Sequence, residues 1–430
     1  MRPPVFLQFC FVRPIVRRPL SYITPQSFSY STMSRSAAMG SSSGPDAKRQ
    51  KVEVSPLDAS RLVIEENPEP RTCPPAKELV FGKTFTNHML SINWTKEHGW
   101  EEPVIKPYGP LTLAPCATIF HYAPTLFEGL KAYRDPNGKV RLFRPDKNME
   151  RMNRSATRIS LPNFDGEELI KLLKKLLEID QEWVPSEPGY SLYIRPTLIG
   201  TQESLGVAAP TKAMLFVIMS PVGPYYANGV KPVSLEANPE YVRAWPGGTG
   251  EAKLGANYGP AVLPQKLAAG RGYDQILWLY GKEHWLTEVG TMNMFVVLKK
   301  DDGVLEVVTP PLNGMILPGV TRASILELLH HHENGSDTLE GVPKIQVNER
   351  EINMQELINA SEEGTLVEMF GAGTAVVVSP VQRVGFLGKD INVPVGESGF
   401  GVVAGAVLKK LTDIQWGKIP HSWSVPISDE

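Results

Sequence analysis

Apolar and polar positions switch between two periods along the chain. From residue 165 the period is helical. Leu169, Leu172, Leu173 and Leu176 fall on one face, and Lys171, Lys174, Lys175 and Glu178 on the other. Asp165 stands at the N-cap position and Glu168 where its capping-box partner would be. The spacing predicts a surface helix with a solvated lysine face. A second helix is predicted to start after Pro318-Gly319, to run through Ile325, Leu328 and Leu329, and to stop at Asn334-Gly335. Short apolar runs at 214–219, 275–280, 294–298 and 304–308 are bounded by Gly, Pro or charge, as strands are. Strands and helices mix irregularly in two blocks, which implies an α+β fold. The segment PVGPYYANGVKP at 221–232 separates the blocks. We therefore expect a smaller N-terminal domain at 71–221, an interdomain loop at 222–233 and a larger C-terminal domain at 234–430. No internal repeat is found.

Composition narrows the class. Lys and Arg total 44 against 46 Asp and Glu, a net charge of −2 that gives no electrostatic case for nucleic acid. The longest clean apolar run, 213–219, is far short of the roughly 20 residues of a membrane span. Cys10, Cys73 and Cys116 lie far apart, without the spacing of a disulfide framework or a structural zinc site, and suggest a reducing compartment.

The first 45 residues differ in kind. They contain five arginines and nine serines and no acidic residue; the first acid is Asp46. That is the composition of an organelle transit peptide, here expected to be mitochondrial, with a plain disordered tail as an alternative. The apolar stretch 5–12 could instead serve a secretory signal, but Gln8 interrupts it and no small-residue cleavage site follows. Met33 or Met39 could start a shorter cytosolic product. Residues 40–56 have linker composition, and the linker is placed at 46–70.

The chemistry concentrates in PGGTGEAKLGANYGP at 246–260, where five glycines surround Lys253. Glycine admits close approach of a ligand to the backbone. A P-loop reading fails because Lys253 lies between Ala252 and Leu254. Gly371 and Gly373 make half a dinucleotide fingerprint, with Val376 where the third glycine belongs. The histidines at 330–332 sit at a helix end, where a cation suits the dipole and no metal is called for. A lysine in so crowded a segment can be a Schiff-base lysine, with its pKa lowered by desolvation and nearby positive charge; a structural turn is the alternative.

The segment resembles the cofactor-lysine region of the branched-chain amino-acid aminotransferases, pyridoxal-phosphate enzymes of fold type IV. The resemblance extends over LFEGLKAYR (126–134), RLFRPDKNMERMNRSATRISLP (141–162), LYIRPTLIGTQESLGV (192–207) and RAWPGGTGEAKLGANYGP (243–260). It continues through QILWLYGKEHWLTEVGTMNMF (275–295), TPPLNGMILPGVTRASIL (309–326) and FGAGTAVVVSPV (370–381). Order and spacing hold from about residue 75 onward, and the eukaryotic forms are matched better than the bacterial ones.

The resemblance implies a two-domain α+β fold and pyridoxal 5'-phosphate joined to Lys253 as an aldimine. Glu288 would face the pyridine nitrogen, and Tyr258 the ring oxygen. Arg151, Thr374 and the amides of Val320 and Thr321 would hold the phosphate. Thr374, Ala375 and Tyr193 would take the substrate carboxylate. Tyr122, Phe127 and Tyr193 would line the side-chain pocket, with Leu205 and Val207 from a partner subunit. Arg195 would receive the second carboxylate of glutamate; a salt bridge at a strand edge is its alternative. The implied reaction is reversible, ping-pong transamination of L-leucine, L-isoleucine and L-valine with 2-oxoglutarate in a mitochondrial homodimer. Partners would be amino and 2-oxo acids, with no nucleic acid and no membrane. A D-amino-acid aminotransferase, an aminodeoxychorismate lyase and a silent binding homologue are the rivals. Animal members carry CxxC where this chain has Val376 and Ser379, so a redox switch of that type has no sulfur to use.

Overall fold

The computed structural model describes residues 54–223 and 231–428. The expected transit segment at 1–45, the start of the linker and residues 224–230 of the expected interdomain loop lie outside them. The described residues belong to one compact unit, Val52–Glu430.

Two large mixed sheets organise that unit. The first runs in the spatial order Val63–Ile64, Val104–Pro107, His88–Thr95, Lys212–Val222, Ser191–Gly200, Leu130–Arg134, Val140–Phe143 and Ser424–Pro426. The second runs Trp285–Val289, Gln275–Tyr280, Val233–Ala237, Val377–Phe386, Leu366–Gly373, Met292–Lys299, Leu305–Thr309 and Ile345–Glu349. The chain changes sheet between Val222 and Val233, but its last strand, Ser424–Pro426, returns to the first sheet beside Val140–Phe143. That return has no local signal in three residues of sequence.

Helix α1 is the short Thr118–Tyr122, and α2 spans Pro145–Arg158. Helix α3, Gly166–Ile179, is the one predicted from leucine spacing, and those leucines are buried against the first sheet. Asp165 caps it by accepting the Glu167 N–H at 2.9 Å. Glu168 does not close a capping box. Its carboxylate accepts the Ala59 N–H at 2.7 Å and thereby ties the start of the folded region to the helix. Helix α4 is Val262–Gly270. Helix α5, Val320–Glu333, ends at Asn334 as expected, with His330 on Glu333 and His332 on the Pro343 carbonyl. It forms the crossover between the parallel strands Leu305–Thr309 and Ile345–Glu349. Helix α6 is Met354–Glu362, and α7 is Val402–Gln415.

Strand Met292–Lys299 shows how one strand serves two layers. Phe295 and Val297 join the cluster under α5 and α7, while Met294, Val296 and Leu298 join the cluster under α6. Successive side chains point to opposite faces, so a strand covered on both sides is apolar throughout. Gly371 and Gly373 lie at the end of strand Leu366–Gly373, which turns back directly into Val377–Phe386. No helix follows them, so a dinucleotide loop is absent there. No helix of the described residues is long and apolar enough to cross a membrane.

Candidate active site

A cavity of about 620 Å³ opens between elements of both sheets. Strands Thr125–Phe127 and Ser191–Gly200 contribute Phe127, Tyr193 and Arg195. The loop before α4 contributes Lys253 and Tyr258. The start of α5 contributes Val320 and Thr321, and the turn after Gly373 contributes Thr374 and Ala375.

The glycine-rich loop is held from inside. Asn257 Nδ2 donates to the carbonyls of Thr249 at 2.9 Å and Ala252 at 2.8 Å, and the Thr249 hydroxyl donates to Asn257 Oδ1 at 2.6 Å. The Lys253 N–H donates to Ser155 Oγ on α2 at 2.9 Å. Lys253 Nζ then stands 3.0 Å from Tyr258 Oη and 4.6 Å from the centre of the Phe127 ring. Burial, reinforced by the nearby charge of Arg151, lowers its pKa to about 8. Burial pushes the Tyr258 phenol up to about 12, so the hydroxyl keeps its proton.

One end of the cavity is built for an anion. Helix α5 starts at Gly319 with no side-chain cap, so its first N–H groups face the cavity unused by a capping group. A Cβ at Gly319 would run into Asn293 Oδ1, so the backbone can lie this close to the neighbouring strand only as glycine. Arg151 lies beside it, buried, with Nη1 on the Pro318 carbonyl at 3.1 Å. Its Nε and Nη2 are taken by Glu128 at 2.7 and 2.8 Å, so the guanidinium turns a different edge to the cavity. Burial works to raise the Glu128 pKa, but Arg151 overcomes it and the carboxyl stays below its usual range.

Glu288 lies at another wall, behind Asn293 and Leu317. Its Oε2 is 2.6 Å from Arg243 Nε, and its Oε1 accepts the Leu317 N–H at 2.9 Å. Asn293 Nδ2 approaches the same oxygen at 3.3 Å. Burial raises the Glu288 pKa and the Arg243 guanidinium opposes the rise.

The remaining walls are aromatic and cationic. Tyr193 and Arg195, two apart on one strand, share a face. Arg195 donates to Tyr193 Oη at 2.9 Å and lies over the Phe127 ring at 4.6 Å. Arg195 makes no salt bridge among the described residues, so the strand-edge alternative is not what the structure shows. Val376 and Ser379 line the cavity, where the cysteines of a CxxC pair would stand.

Tyr122, and the Leu205 and Val207 expected from a partner subunit, do not line this chain's own cavity. Tyr122 ends α1 at Ala123, whose φ of 51° turns the chain sharply outward. Its hydroxyl donates to the Leu205 carbonyl. Tyr122, Leu205 and Val207 are all exposed, on a surface outside the cavity. Tyr122 and Phe127 belong to different surfaces of one chain.

The family model for amino-transferase class IV matches residues 125–384, a span that includes Lys253, Arg151, Glu288 and Thr374. The chain belongs to the class IV aminotransferases. The aminotransferase is 53% identical over 379 residues to the mitochondrial branched-chain-amino-acid aminotransferase of Saccharomyces cerevisiae, covering 87% of this chain and 94% of the yeast one. It is 51% identical over 366 residues to the cytosolic branched-chain-amino-acid aminotransferase of Mus musculus, covering 85% and 90%. Among solved structures, the Escherichia coli branched-chain amino acid aminotransferase aligns with a TM-score of 0.61 at 23% identity, covering 78% of this chain and 99% of that one. The aminotransferase thus shares the fold of that enzyme.

Several residues of the aminotransferase site escaped the sequence reading. Glu128 and Arg243 pair with expected site residues. Phe81 packs its ring edge-on to Tyr193 at 5.1 Å and lines the cavity. Lys131 reaches the Ala375 carbonyl at 2.8 Å. Glu128 and Lys131 lie inside the quoted segment at 126–134, so a signal was present, but nothing local distinguishes a buried charge from a surface one.

Proposed function

We propose that the chain is a branched-chain amino-acid transaminase. It exchanges the amino group of L-leucine, L-isoleucine or L-valine for the oxo group of 2-oxoglutarate, on pyridoxal phosphate. The observation that carries this reading is Lys253, with a pKa near 8, held against Tyr258 in a cavity that ends on an uncapped helix N-terminus. The roughly 50% identity to named branched-chain enzymes supports the substrate class.

The residues present fit the cofactor. The opening at the uncapped start of α5, where glycine at 319 lets the backbone pack close against Asn293, suits a phosphate on the amides of Val320 and Thr321, with Arg151 and Thr374 beside it. Glu288 suits a protonated pyridine nitrogen, Tyr258 the ring oxygen and Lys253 the aldehyde carbon. Pyridoxal phosphate, when bound, supplies an electron sink conjugated to the substrate nitrogen. The protein supplies the rest. Lys253 Nζ is the base that takes the proton from the substrate Cα and later returns one, and the Tyr258 hydroxyl holds it in place. Arg243 opposes the burial that raises the Glu288 pKa, and so favours the carboxylate form that pairs with the ring nitrogen. The turn at Thr374 and Ala375, with Tyr193 Oη, receives the α-carboxylate. Phe127, Phe81 and Tyr193 exclude water around a branched apolar side chain. Such walls separate one methylene by only about 1–3 kcal/mol, so all three amino acids are accepted. Arg195 receives the second carboxylate of glutamate.

The apolar surface of Tyr122, Leu205 and Val207 completes the pocket of a partner subunit, in a homodimer. The division at 222–233 separates an N-terminal domain at 71–221 from a C-terminal domain at 234–430, and residues 1–45 direct the protein to the mitochondrial matrix.

The test is the visible absorption of the purified holoenzyme before and after one equivalent of L-leucine without acceptor. The band bleaches as the 2-oxo acid appears in stoichiometric amount, and D-alanine leaves it unchanged. Bleaching by D-alanine and not by L-leucine would overturn the substrate. Lys253→Ala abolishes steady-state transamination while leaving the fold intact, and retained turnover would remove Lys253 from its role.

A further inference from the structure

Lys131 is a buried cation without an anion. It is 8% exposed, and its Nζ donates to one neutral acceptor, the carbonyl of Ala375, at 2.8 Å. No salt bridge involves it among the described residues. An ammonium removed from water without a counter-charge is costly, so its retention calls for a reason.

Placement supplies one. Lys131 is the register partner of Tyr193 on the neighbouring antiparallel strand, so the two side chains share a face of the first sheet. From there Lys131 crosses to the second sheet and grips the back of the turn that follows Gly373, 244 residues away in sequence. The turn needs holding. Val377, which closes it, is a β-branched residue at a φ of 66°, in the left-handed region. Lys131 also lines a small cavity of about 20 Å³ beneath Thr321 and Thr374, together with Gln415, whose buried Oε1 has no hydrogen-bond partner.

We propose that Lys131 is a positioning residue for the substrate α-carboxylate. Its ammonium pins the Ala375–Val376 peptide by its carbonyl, fixes the tilt of the turn, and supplies the positive charge that an arriving carboxylate compensates. Both substrates of the exchange carry that carboxylate, so Lys131 serves both half-reactions. The proposal rests on the transaminase reading of the cavity. Burial lowers the Lys131 pKa to about 8, which agrees with an uncompensated charge in the ligand-free protein.

The experiment compares holoenzyme forms of wild type, Lys131→Met and Lys131→Arg, with L-leucine and with 3-methylbutylamine, the same skeleton without the carboxylate. Lys131→Met raises KM for L-leucine and for 2-oxoglutarate by about tenfold or more, the worth of a charge-assisted contact. Its kcat stays within about threefold, because the contact is made equally in ground and transition states. The visible band and the single-turnover rate with 3-methylbutylamine are unchanged, and Lys131→Arg restores KM. An unchanged KM in Lys131→Met, or an equal loss with the amine, would overturn the proposal. Should the Met variant fail to fold, Lys131→Gln carries the same comparison: a raised KM for leucine alone supports the role and an unchanged one removes it. Failure of wild type to react with L-leucine would instead overturn the transaminase reading.

Discussion

Arg243 Nε stands 2.6 Å from Glu288 Oε2, and both side chains are almost wholly buried. The pair lies behind Asn293, which lines the cavity, where burial raises the pKa of the carboxyl. Arg243→Met is expected to destabilise the protein by about 3–5 kcal/mol, because it strands a buried carboxylate. The double variant with Glu288→Gln should recover part of that loss, since the two residues are coupled. Urea unfolding of the four forms measures it. Glu288→Gln by itself should lower kcat by about 10²–10³, the size seen when one preorganised electrostatic group is removed. Wild-type kcat in that variant would show that the carboxylate does not face the cofactor.

Arg151 presents only part of its guanidinium to the cavity, because Glu128 holds Nε and Nη2. Lysine cannot reproduce a fork that bonds a carboxylate on one edge and a ligand on another. Arg151→Lys should weaken pyridoxal phosphate binding to the cofactor-free protein by roughly 10- to 100-fold, the loss of one or two charge-assisted hydrogen bonds. Titration of protein fluorescence reads this directly. Unchanged affinity would place the phosphate elsewhere.

Lys253 titrates near pH 8 in the cofactor-free protein, well below a free lysine at about 10.4. The neutral amine is the nucleophile. The rate of reconstitution with pyridoxal phosphate should therefore climb with pH through about 8 and level off above it, instead of climbing to 10. Between those two values the unfolded chain holds the proton that the native state has released. In that window Lys253 adds to stability as pH rises. Stopped-flow absorbance gives the first profile and thermal unfolding the second.

Leu205 and Val207 lie exposed beside Tyr122, clear of the cavity of their own chain. On the proposed homodimer, Leu205→Asp should give a monomer in sedimentation and raise KM for L-leucine. A monomer with unaltered KM would show that the pocket needs nothing from a neighbour.

What the sequence determined by itself was local. The leucine spacing of α3, the Pro-Gly start and Asn-Gly stop of α5, and the short bounded strands all follow from periods and caps within about 15 residues. The glycine-rich setting of Lys253 marked a lysine under pressure, and the long resemblance singled out Arg151, Glu288, Tyr258 and Thr374. The partnerships of these residues were decided only by the tertiary structure. Glu128 on Arg151, Arg243 on Glu288 and Lys131 on Ala375 join residues 23, 45 and 244 positions apart. Glu168 reached Ala59 rather than its own helix start, and Tyr122 turned away from Phe127, for the same reason. A charge in a sequence is equally suited to solvent or to a buried partner. Which one it finds depends on how two sheets stack and close water out between them, and no local window of residues carries that information.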